Sequence, residues 1–199
     1  MIRLSRANFA WTLGDHAKAA TESEAVWNML SSEADCPIRA YAAHIHGIAQ
    51  QRLGQPELAL EWFDDSIHEA MSCGVHSTVA EAAGRALQVA SDALGQHDAI
   101  ERYGKMGEAA LERSGNPPRA RAIFVSARGI ARSRIGDYEG SVADVREAAE
   151  LIEQEVGPRA YELAAYLANL GAMLGVVGDP EGAAKPVSYT HLRAHETRP

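Results

Sequence analysis

The chain has 199 residues, of which 46% are hydrophobic, and it carries a net charge of −8. This apolar content is enough for a packed core, but an acidic chain without a Lys/Arg cluster lacks the phosphate contacts that nucleic-acid binding requires. The most apolar run, residues 163–177, is shorter than the roughly 18 residues of a membrane-spanning helix. The first residues do not have the pattern of a secretory signal, so we expect a cytoplasmic protein that neither binds nucleic acid nor inserts into a membrane.

A glycine followed by a short polar turn recurs along the chain at nearly constant spacing. These turn glycines are Gly14, Gly54, Gly95, Gly136 and Gly178. A regular period of about 41 residues is typical of a stacked repeat, and glycine suits the left-handed residue that ends a helix. The pattern therefore predicts units of two helices, one on each side of the turn.

The second unit shows this plan most clearly. After a first unit at 3–36, residues 37–75 predict a helix over 41–53, a turn at Gly54, and a second helix over 57–70 with an acidic face toward water. That face is predicted to contain Glu57, Glu61, Asp64, Asp65 and Glu69. A cluster of this kind is more typical of a solvated helix face than of catalytic carboxylates.

The third unit, residues 76–116, departs from the plan. Gly84, Gly104 and Gly107 fall where packing residues are expected, and a glycine in a helix interior costs about 1 kcal/mol relative to alanine. We therefore expect the array to be loosest there.

The last units return to the plan and then break off. The fourth unit, 117–157, predicts helices over 123–135 and 139–150, and the fifth, 158–186, predicts a helix over 161–177 and only the start of a second. Residues 187–197 are similar to the translation of a sequencing-adapter read-through, so 187–199 are expected to be a non-native tail. A genuine loose tail is the alternative. We expect the remainder to be an internal piece of a longer protein.

Two positions in each unit carry mostly small residues, and these support a family resemblance. Seven residues before the turn glycines stand Ala7, Gly47, Gln88, Gly129 and Gly171, and five residues after them stand Ala19, Ala59, Ile100, Ser141 and Ala183. With an apolar residue before each turn, this resembles the tetratricopeptide repeat, in a variant longer than the usual period of about 34 residues. The resemblance implies an all-α, right-handed superhelical solenoid of antiparallel helix pairs, with about five repeats and the last truncated.

The residues that commonly carry chemistry do not form a recognised motif. Cys36 and Cys73 lack metal-binding spacing and are interpreted as small apolar residues that form no disulfide scaffold. His44 and His46 lie two apart on a predicted helix and point to different faces, which favours structural or solvent-facing histidines. We expect no metal site, no cofactor and no enzymatic activity.

The concave surface of a stacked array is its usual binding site, and first helices line it. The register places eight residues on or near that side: Trp11, His44, Gln51, Arg52, Arg85, Asp92, Ser133 and Arg134. Arginines there could bind a carboxylate or phosphate of a protein or peptide partner. The alternative is that they are solvent-exposed or paired with the acidic second helices.

A second resemblance concerns the parent protein. It rests on the order of Gly54-Gln55-Pro56-Glu57, His76-Ser77-Thr78-Val79, Gly95-Gln96-His97-Asp98, Leu111-Glu112-Arg113-Ser114-Gly115, Ile135-Gly136-Asp137-Tyr138, Glu155-Val156-Gly157-Pro158 and Leu167-Ala168-Asn169-Leu170-Gly171. This order resembles the C-terminal repeats of bacterial Hanks-type serine/threonine kinases, and the last unit also resembles the long repeats of kinesin light chains. The resemblance implies a docking or sensory region. The alternatives are the repeats of a signal-transduction ATPase with a helix-turn-helix output domain, and a stand-alone adaptor.

Overall fold

The described part of the chain is entirely helical in its regular structure. A computed structural model describes residues 2–31, 35–157 and 161–183, and the all-α prediction is confirmed for them. The predicted tail at 187–199 lies outside these residues. The helices are α1 (Ile2–Thr12), α2 (His16–Met29), α3 (Cys36–Arg52), α4 (Pro56–Ser72), α5 (His76–Val89), a π-helical segment (Ala90–Leu94), α6 (His97–Ser114), α7 (Pro118–Arg134), α8 (Tyr138–Val156) and α9 (Tyr161–Val176).

The extra length of the repeat lies mainly in its helices. α4, α6 and α8 have 17, 18 and 19 residues, and the first helices begin earlier than the sequence predicts. α3 starts at Cys36 rather than at residue 41, and α7 starts at Pro118 rather than at residue 123. Proline is tolerated in the first helical turn because the amide hydrogen that it lacks has no partner there. Pro37 and Pro118 therefore open helices instead of extending loops.

The turn glycines have the backbone conformation that their spacing predicts. All five have positive φ angles, between 60° and 85°. The aspartate after three of them then caps the next helix. The Oδ1 atoms of Asp15, Asp137 and Asp179 accept hydrogen bonds from the backbone amides of Lys18, Gly140 and Gly182, at 3.2, 3.0 and 2.8 Å. One Gly-Asp pair thus ends a first helix and begins a second.

A second glycine series marks the end of the second helices. Gly74, Gly115 and Gly157 follow α4, α6 and α8 and have φ angles of 71°, 77° and 84°. Each lies about half a repeat after the preceding turn glycine. Each of these three repeats therefore has a glycine with positive φ after its first helix and another after its second helix.

The chain divides into two compact units, Met1–Asn116 and Pro117–Pro199. In the first unit each helix from α1 to α6 packs against the next, and α3 also contacts both α1 and α5. In the second unit α8 packs against both α7 and α9. Alanine supplies much of the buried surface, including Ala40, Ala42, Ala43 and Ala49 on α3.

Close approach within a pair depends on a glycine of the first helix. A methyl group at Gly47 would lie 2.7 Å from the Phe63 ring, and one at Gly129 would lie 2.7 Å from Val145 Cγ2. Phe63 and Val145 occupy the same position, nine residues after their turn glycines. Each inserts a buried side chain into the space that the missing side chain leaves.

The third pair exchanges these roles. The position nine residues after its turn is Gly104 on α6, and Leu87 of α5 fills the space, 3.6 Å from where a Gly104 Cβ would lie. Leu87 is only 1% exposed. The π-helical segment follows α5 directly and contains one more residue per turn than an α-helix. This extra residue shifts the residues of α5 by one position relative to the turn glycine, Gly95. Gly104 thus has a packing role that its position in the sequence did not reveal.

Candidate functional site

Three predicted groove residues of the first unit share one register. Trp11, Gln51 and Asp92 each stand three residues before a turn glycine, on α1, α3 and the π-helical segment. Trp11 and Gln51 are half-buried and Asp92 is exposed. Trp11 packs against a buried cluster of Ala10, Ala19, Ala20 and Ala49. Its ring is therefore held by the fold while part of it faces solvent.

The two predicted arginines of this unit differ in environment. Arg52 is exposed in the last turn of α3, where a cation is favoured by the negative end of the helix dipole. Arg85 is half-buried in the middle of α5. Its charge lowers the pKa of His44 on α3, so Arg85 lies near the first helix of the preceding pair.

His44 is a core residue, which corrects its placement in the predicted groove. It is 3% exposed, stacks 6.3 Å from the Tyr41 ring, and lies 5.9 Å from the Phe63 ring. Burial, and secondarily the charge of Arg85, lowers the pKa of His44 to about 3, so the side chain is neutral near pH 7. An aromatic partner on each flank explains why a histidine at a groove register points into the pair.

Asn8 and Tyr41 link the first helices of the first two pairs, although the sequence did not single them out. Asn8 Nδ2 donates to the Tyr41 hydroxyl at 3.1 Å, and this bond joins α1 to α3. Both residues are half-buried. One signal in the sequence could have identified Tyr41. It lies on a first helix, and tyrosine combines an apolar ring with a hydroxyl group that can form hydrogen bonds at a surface.

The predicted residues of the second unit are Ser133 and Arg134, near the end of α7. The Ser133 hydroxyl donates to the carbonyl oxygen of Ile130 at 2.7 Å, and Arg134 is exposed. Other arginines of α7 pair with the acidic second helix. Arg128 donates two 2.8 Å hydrogen bonds to the Asp144 carboxylate, and Arg132 lies 3.0 Å from the same group. Ion pairs with the second helix, which the sequence left open for Arg134, are thus present for two neighbouring arginines of α7.

An arginine that the sequence did not identify joins three helices of the first unit. Arg39 of α3 donates from Nη1 to the carbonyl oxygens of Trp27 and Leu30 at the end of α2, both at 3.0 Å. Its Nε donates to Glu69 Oε1 of α4 at 2.8 Å, and its guanidinium lies 3.6 Å from the Trp27 ring centroid. Glu69 is 6% exposed, so its predicted place on the water-facing side of α4 is wrong.

His46 forms a second link between these helices. Its Nδ1 lies 3.0 Å from the Ala20 carbonyl oxygen and 3.3 Å from the Ser23 hydroxyl, and its Nε2 lies 2.8 Å from Gln50 Nε2. The ring packs 4.0 Å from the Trp62 ring. Burial lowers the pKa of His46. Donation to Ala20 and acceptance from Gln50 together fix the neutral Nδ1–H tautomer.

The two cysteines form a disulfide, which corrects their interpretation as separate apolar residues. Cys36 begins α3 and Cys73 follows α4, and their Cα atoms are 6.1 Å apart. A signal was present in the sequence, because Cys36 and Cys73 stand at nearly equal chain distances before and after Gly54. An antiparallel helix pair brings such positions together at its open end.

A groove of about 640 Å³ lies between α8 and α9 in the second unit. Val142, Leu174 and Val177 contribute its apolar lining, and Glu139 and Glu150 contribute acidic side chains.

Apolar side chains are exposed directly before three of the turns. Leu13, Leu53 and Ile135 are 69%, 43% and 64% exposed. The apolar residue that precedes these turns therefore lies at the surface and not in the core.

Two classes of site are missing from the described residues. Within 2–31, 35–157 and 161–183, no group of three or more His, Cys, Asp or Glu side chains could hold a metal ion. Over the same residues, no helix is both long and apolar enough to cross a membrane.

Comparisons with known proteins show the fold. No protein-family model and no curated protein matches the chain. BtubC (BKLC) from P. vanneervenii is similar in structure, with a TM-score of 0.65 at 16% identity over 97% of this chain and 80% of that one. A P. anserina kinesin light chain with nearly identical TPR-like repeats gives 0.59 at 14% identity, over 98% and 95% of the two chains.

The MamA RS-1 ArsTM double mutant gives a TM-score of 0.51 at 16% identity, over 98% of this chain and 94% of that one. Sequence identities this low show likeness of fold and do not transfer a function. The chain therefore has the all-α, TPR-like helical-repeat fold that its sequence predicted.

Proposed function

We propose that the chain is a non-catalytic protein-interaction module that binds a protein or peptide on the first-helix surface of its first unit. The observation that carries the proposal is the row of partly exposed side chains on stacked first helices. This surface, called the first-helix row below, consists of Asn8, Trp11, Tyr41, Gln51, Arg52, Arg85 and Asp92.

Partial burial suits these residues for binding. Trp11 is held by the alanine cluster, and Asn8 and Tyr41 hold each other by a hydrogen bond. A side chain that the fold already orders loses little conformational entropy when a partner binds. Tryptophan, tyrosine and arginine are also the residue types that contribute most to binding energy at protein interfaces. The row therefore offers preorganised contacts.

The charge of the row favours an acidic feature on the partner. The chain as a whole has a net charge of −8, whereas the row carries two cations, Arg52 and Arg85, against one anion, Asp92. A guanidinium forms paired hydrogen bonds with a carboxylate or phosphate. We therefore propose a partner segment that places such a group beside an aromatic or apolar side chain.

Charge reversal tests this assignment. Peptides would be selected against the wild-type chain from a displayed library, and their affinity measured for the Arg52→Glu/Arg85→Glu variant. We expect affinity to fall at least roughly tenfold, because a reversed charge repels the group that an arginine attracts. Arg113→Glu is the matched control, since Arg113 is exposed in the last turn of α6, a second helix.

Unchanged affinity in the double variant, with the helical circular dichroism intact, would remove the first-helix row as the binding surface. Arg85 is half-buried, so Arg52→Glu alone provides a second test that leaves the core untouched. Ser133 and Arg134 of the second unit stay predictions. Arg134→Glu tests them separately.

We further propose that the module is the docking or sensory region of a larger bacterial signalling protein. Among the candidate parent proteins, a serine/threonine kinase is ranked first. The order of sequence features across residues 54–185 supports this proposal. The alternatives remain a signal-transduction ATPase with a helix-turn-helix output domain and a stand-alone adaptor. A continuous read of the native locus distinguishes the three. A complete gene that starts at Met1 and retains residues 187–199 would contradict both the kinase proposal and the proposed origin of the tail.

A further inference from the structure

The α3–α4 pair is closed at both ends. Gly54 lies in the turn that joins the two helices at one end, and the Cys36–Cys73 disulfide joins them at the other. Cys36 is 4% exposed, whereas Cys73 is half-buried. The covalent bond therefore fixes the open end of the pair, and one of its sulfurs is near solvent.

The disulfide lies beside the contacts that hold α2. Arg39 is one helical turn from Cys36, and it binds the last carbonyl groups of α2 together with the Glu69 carboxylate of α4. Ser72 donates to the Glu69 carbonyl oxygen at 2.8 Å, and its Oγ is 3.2 Å from Cys36 Sγ. The position of α2 on the second pair thus depends on residues adjacent to the disulfide.

We propose that Cys36–Cys73 is a redox switch that controls how firmly the first helix pair is docked on the second. In the oxidised chain the disulfide fixes the spacing of α3 and α4, so that Arg39 can reach α2 and Glu69 together. In the reduced chain no covalent bond joins the two helix ends, so they open more often and Glu69 gains water. The Arg39 contacts with the end of α2 then weaken.

The switching reaction is a thiol–disulfide exchange with a dithiol reductant. A thiolate of the reductant attacks Cys73 Sγ, the more accessible sulfur, and Cys36 leaves as a thiolate that takes up a proton. The second thiol of the reductant then attacks the mixed disulfide and releases Cys73, which is protonated in turn. Two electrons and two protons pass to the chain, and the reductant leaves as a disulfide. A disulfide oxidant of the same class reverses the reaction.

The fold accommodates the reduced form as well. The Glu69 carbonyl oxygen lies 2.8 Å from Cys36 Sγ and 3.1 Å from Cys73 Sγ, so an acceptor is in place for a thiol hydrogen. The third repeat has serine at both equivalent positions, because Ser77 and Ser114 stand at the same offsets from Gly95 as the two cysteines do from Gly54. An α5–α6 pair without a disulfide therefore folds in the same chain.

Hydrogen exchange on the full chain tests the switch. Exchange at the end of α2 and the start of α3 would be followed by mass spectrometry in oxidised glutathione and in dithiothreitol. We expect the amides near Trp27 and Arg39 to exchange roughly tenfold faster after reduction, and the Tm to fall by roughly 5–15 °C. The Cys36→Ser/Cys73→Ser variant should match the reduced chain and show no response to either reagent.

Two results would overturn the proposal. The first is that the oxidised chain contains two free thiols by intact mass. The second is that the disulfide forms but exchange at α2 is the same in both reagents. A Gly175→Ala variant in the second unit, where a methyl group would meet nothing within 4 Å, is the control for substitution itself, and it should keep the full redox response.

Discussion

His44 has the structural role that the sequence predicted, but its side chain lies in the core instead of the groove. A histidine on a predicted helix that carries no metal motif favours a structural role, and the structure gives it one between Tyr41 and Phe63. The register nevertheless predicted a groove contact. The position of a residue in the repeat gives only the approximate direction of its side chain around the helix axis. The residues that pack against the helix decide whether that side chain points into the core or toward the groove.

The lowered pKa of His44 predicts acid sensitivity. The folded pKa is about 3 and an unfolded histidine titrates near 6.5, so the unfolded chain binds more protons between these values. Stability is therefore fully present above about pH 6.5 and decreases as the pH falls toward 3. By pH 5 this one group lowers the free energy of unfolding by about 2 kcal/mol.

The His44→Phe variant checks that expectation, because a phenyl ring keeps the contacts with Tyr41 and Phe63 and does not titrate. Urea midpoints at pH 7 and pH 5 should differ less in this variant than in wild type. Equal pH dependence in the two chains would show that His44 does not carry the effect. His46 has a lowered pKa as well and leaves a residual slope in both.

At the scale of the helix pair, glycine controls how closely two helices approach. A methyl group at Gly129 would lie 2.7 Å from Val145 Cγ2, 3.0 Å from Asp144 Cβ and 3.0 Å from the Ser141 carbonyl oxygen. The last of these is backbone and cannot rotate away. Helix pairs α3–α4 and α7–α8 thus both depend on an absent side chain seven residues before the turn.

We expect Gly129→Ala to lower the free energy of unfolding by about 1–2 kcal/mol, because overpacking outweighs the higher helix propensity of alanine. Gly175→Ala is the matched control on α9, since a methyl group there would meet nothing within 4 Å. That variant should be neutral or slightly stabilising. Chemical denaturation of both checks the contrast, and a stabilising Gly129→Ala would show that α7 and α8 can move apart without loss.

At the scale of the whole chain, a repeat protein transmits little beyond nearest neighbours. The second unit has its own polar centre, where the Asp144 carboxylate, 5% exposed, accepts from Arg128 and pairs with Arg132. The first unit has a separate one around Arg39 and the disulfide. Damage to either centre is therefore expected to stay within its own unit.

Asp144→Ala tests this locality. Asp144 is buried but Arg128 and Arg132 are partly exposed, so losing the carboxylate costs about 1–3 kcal/mol, and exchange in α7 and α8 should increase. Exchange in α3 and α4 should not change. Hydrogen-exchange mass spectrometry measures both at once, and a parallel increase in α3 and α4 would show that the two units are coupled.

The sequence by itself determined the fold class, the turn glycines and the alternation of helices. These follow from local rules, because a left-handed glycine ends a helix whatever surrounds it. Helix starts were less well predicted, since Pro37 and Pro118 are compatible with both a loop and a first turn. The third unit was judged by the positions of its glycines alone, whereas Gly104 accommodates Leu87.

Only the tertiary structure decided which side chains meet. Cys36 and Cys73, Arg39 and Trp27, and Arg128 and Asp144 are pairs from different helices, and their contact depends on the crossing of those helices. The same crossing buried His44 and Glu69 and exposed Leu13. The periodicity of apolar residues along one helix shows which face of that helix is buried. The residues that pack against this face depend on the distance and angle between the two helices, and the repeat period does not give that geometry.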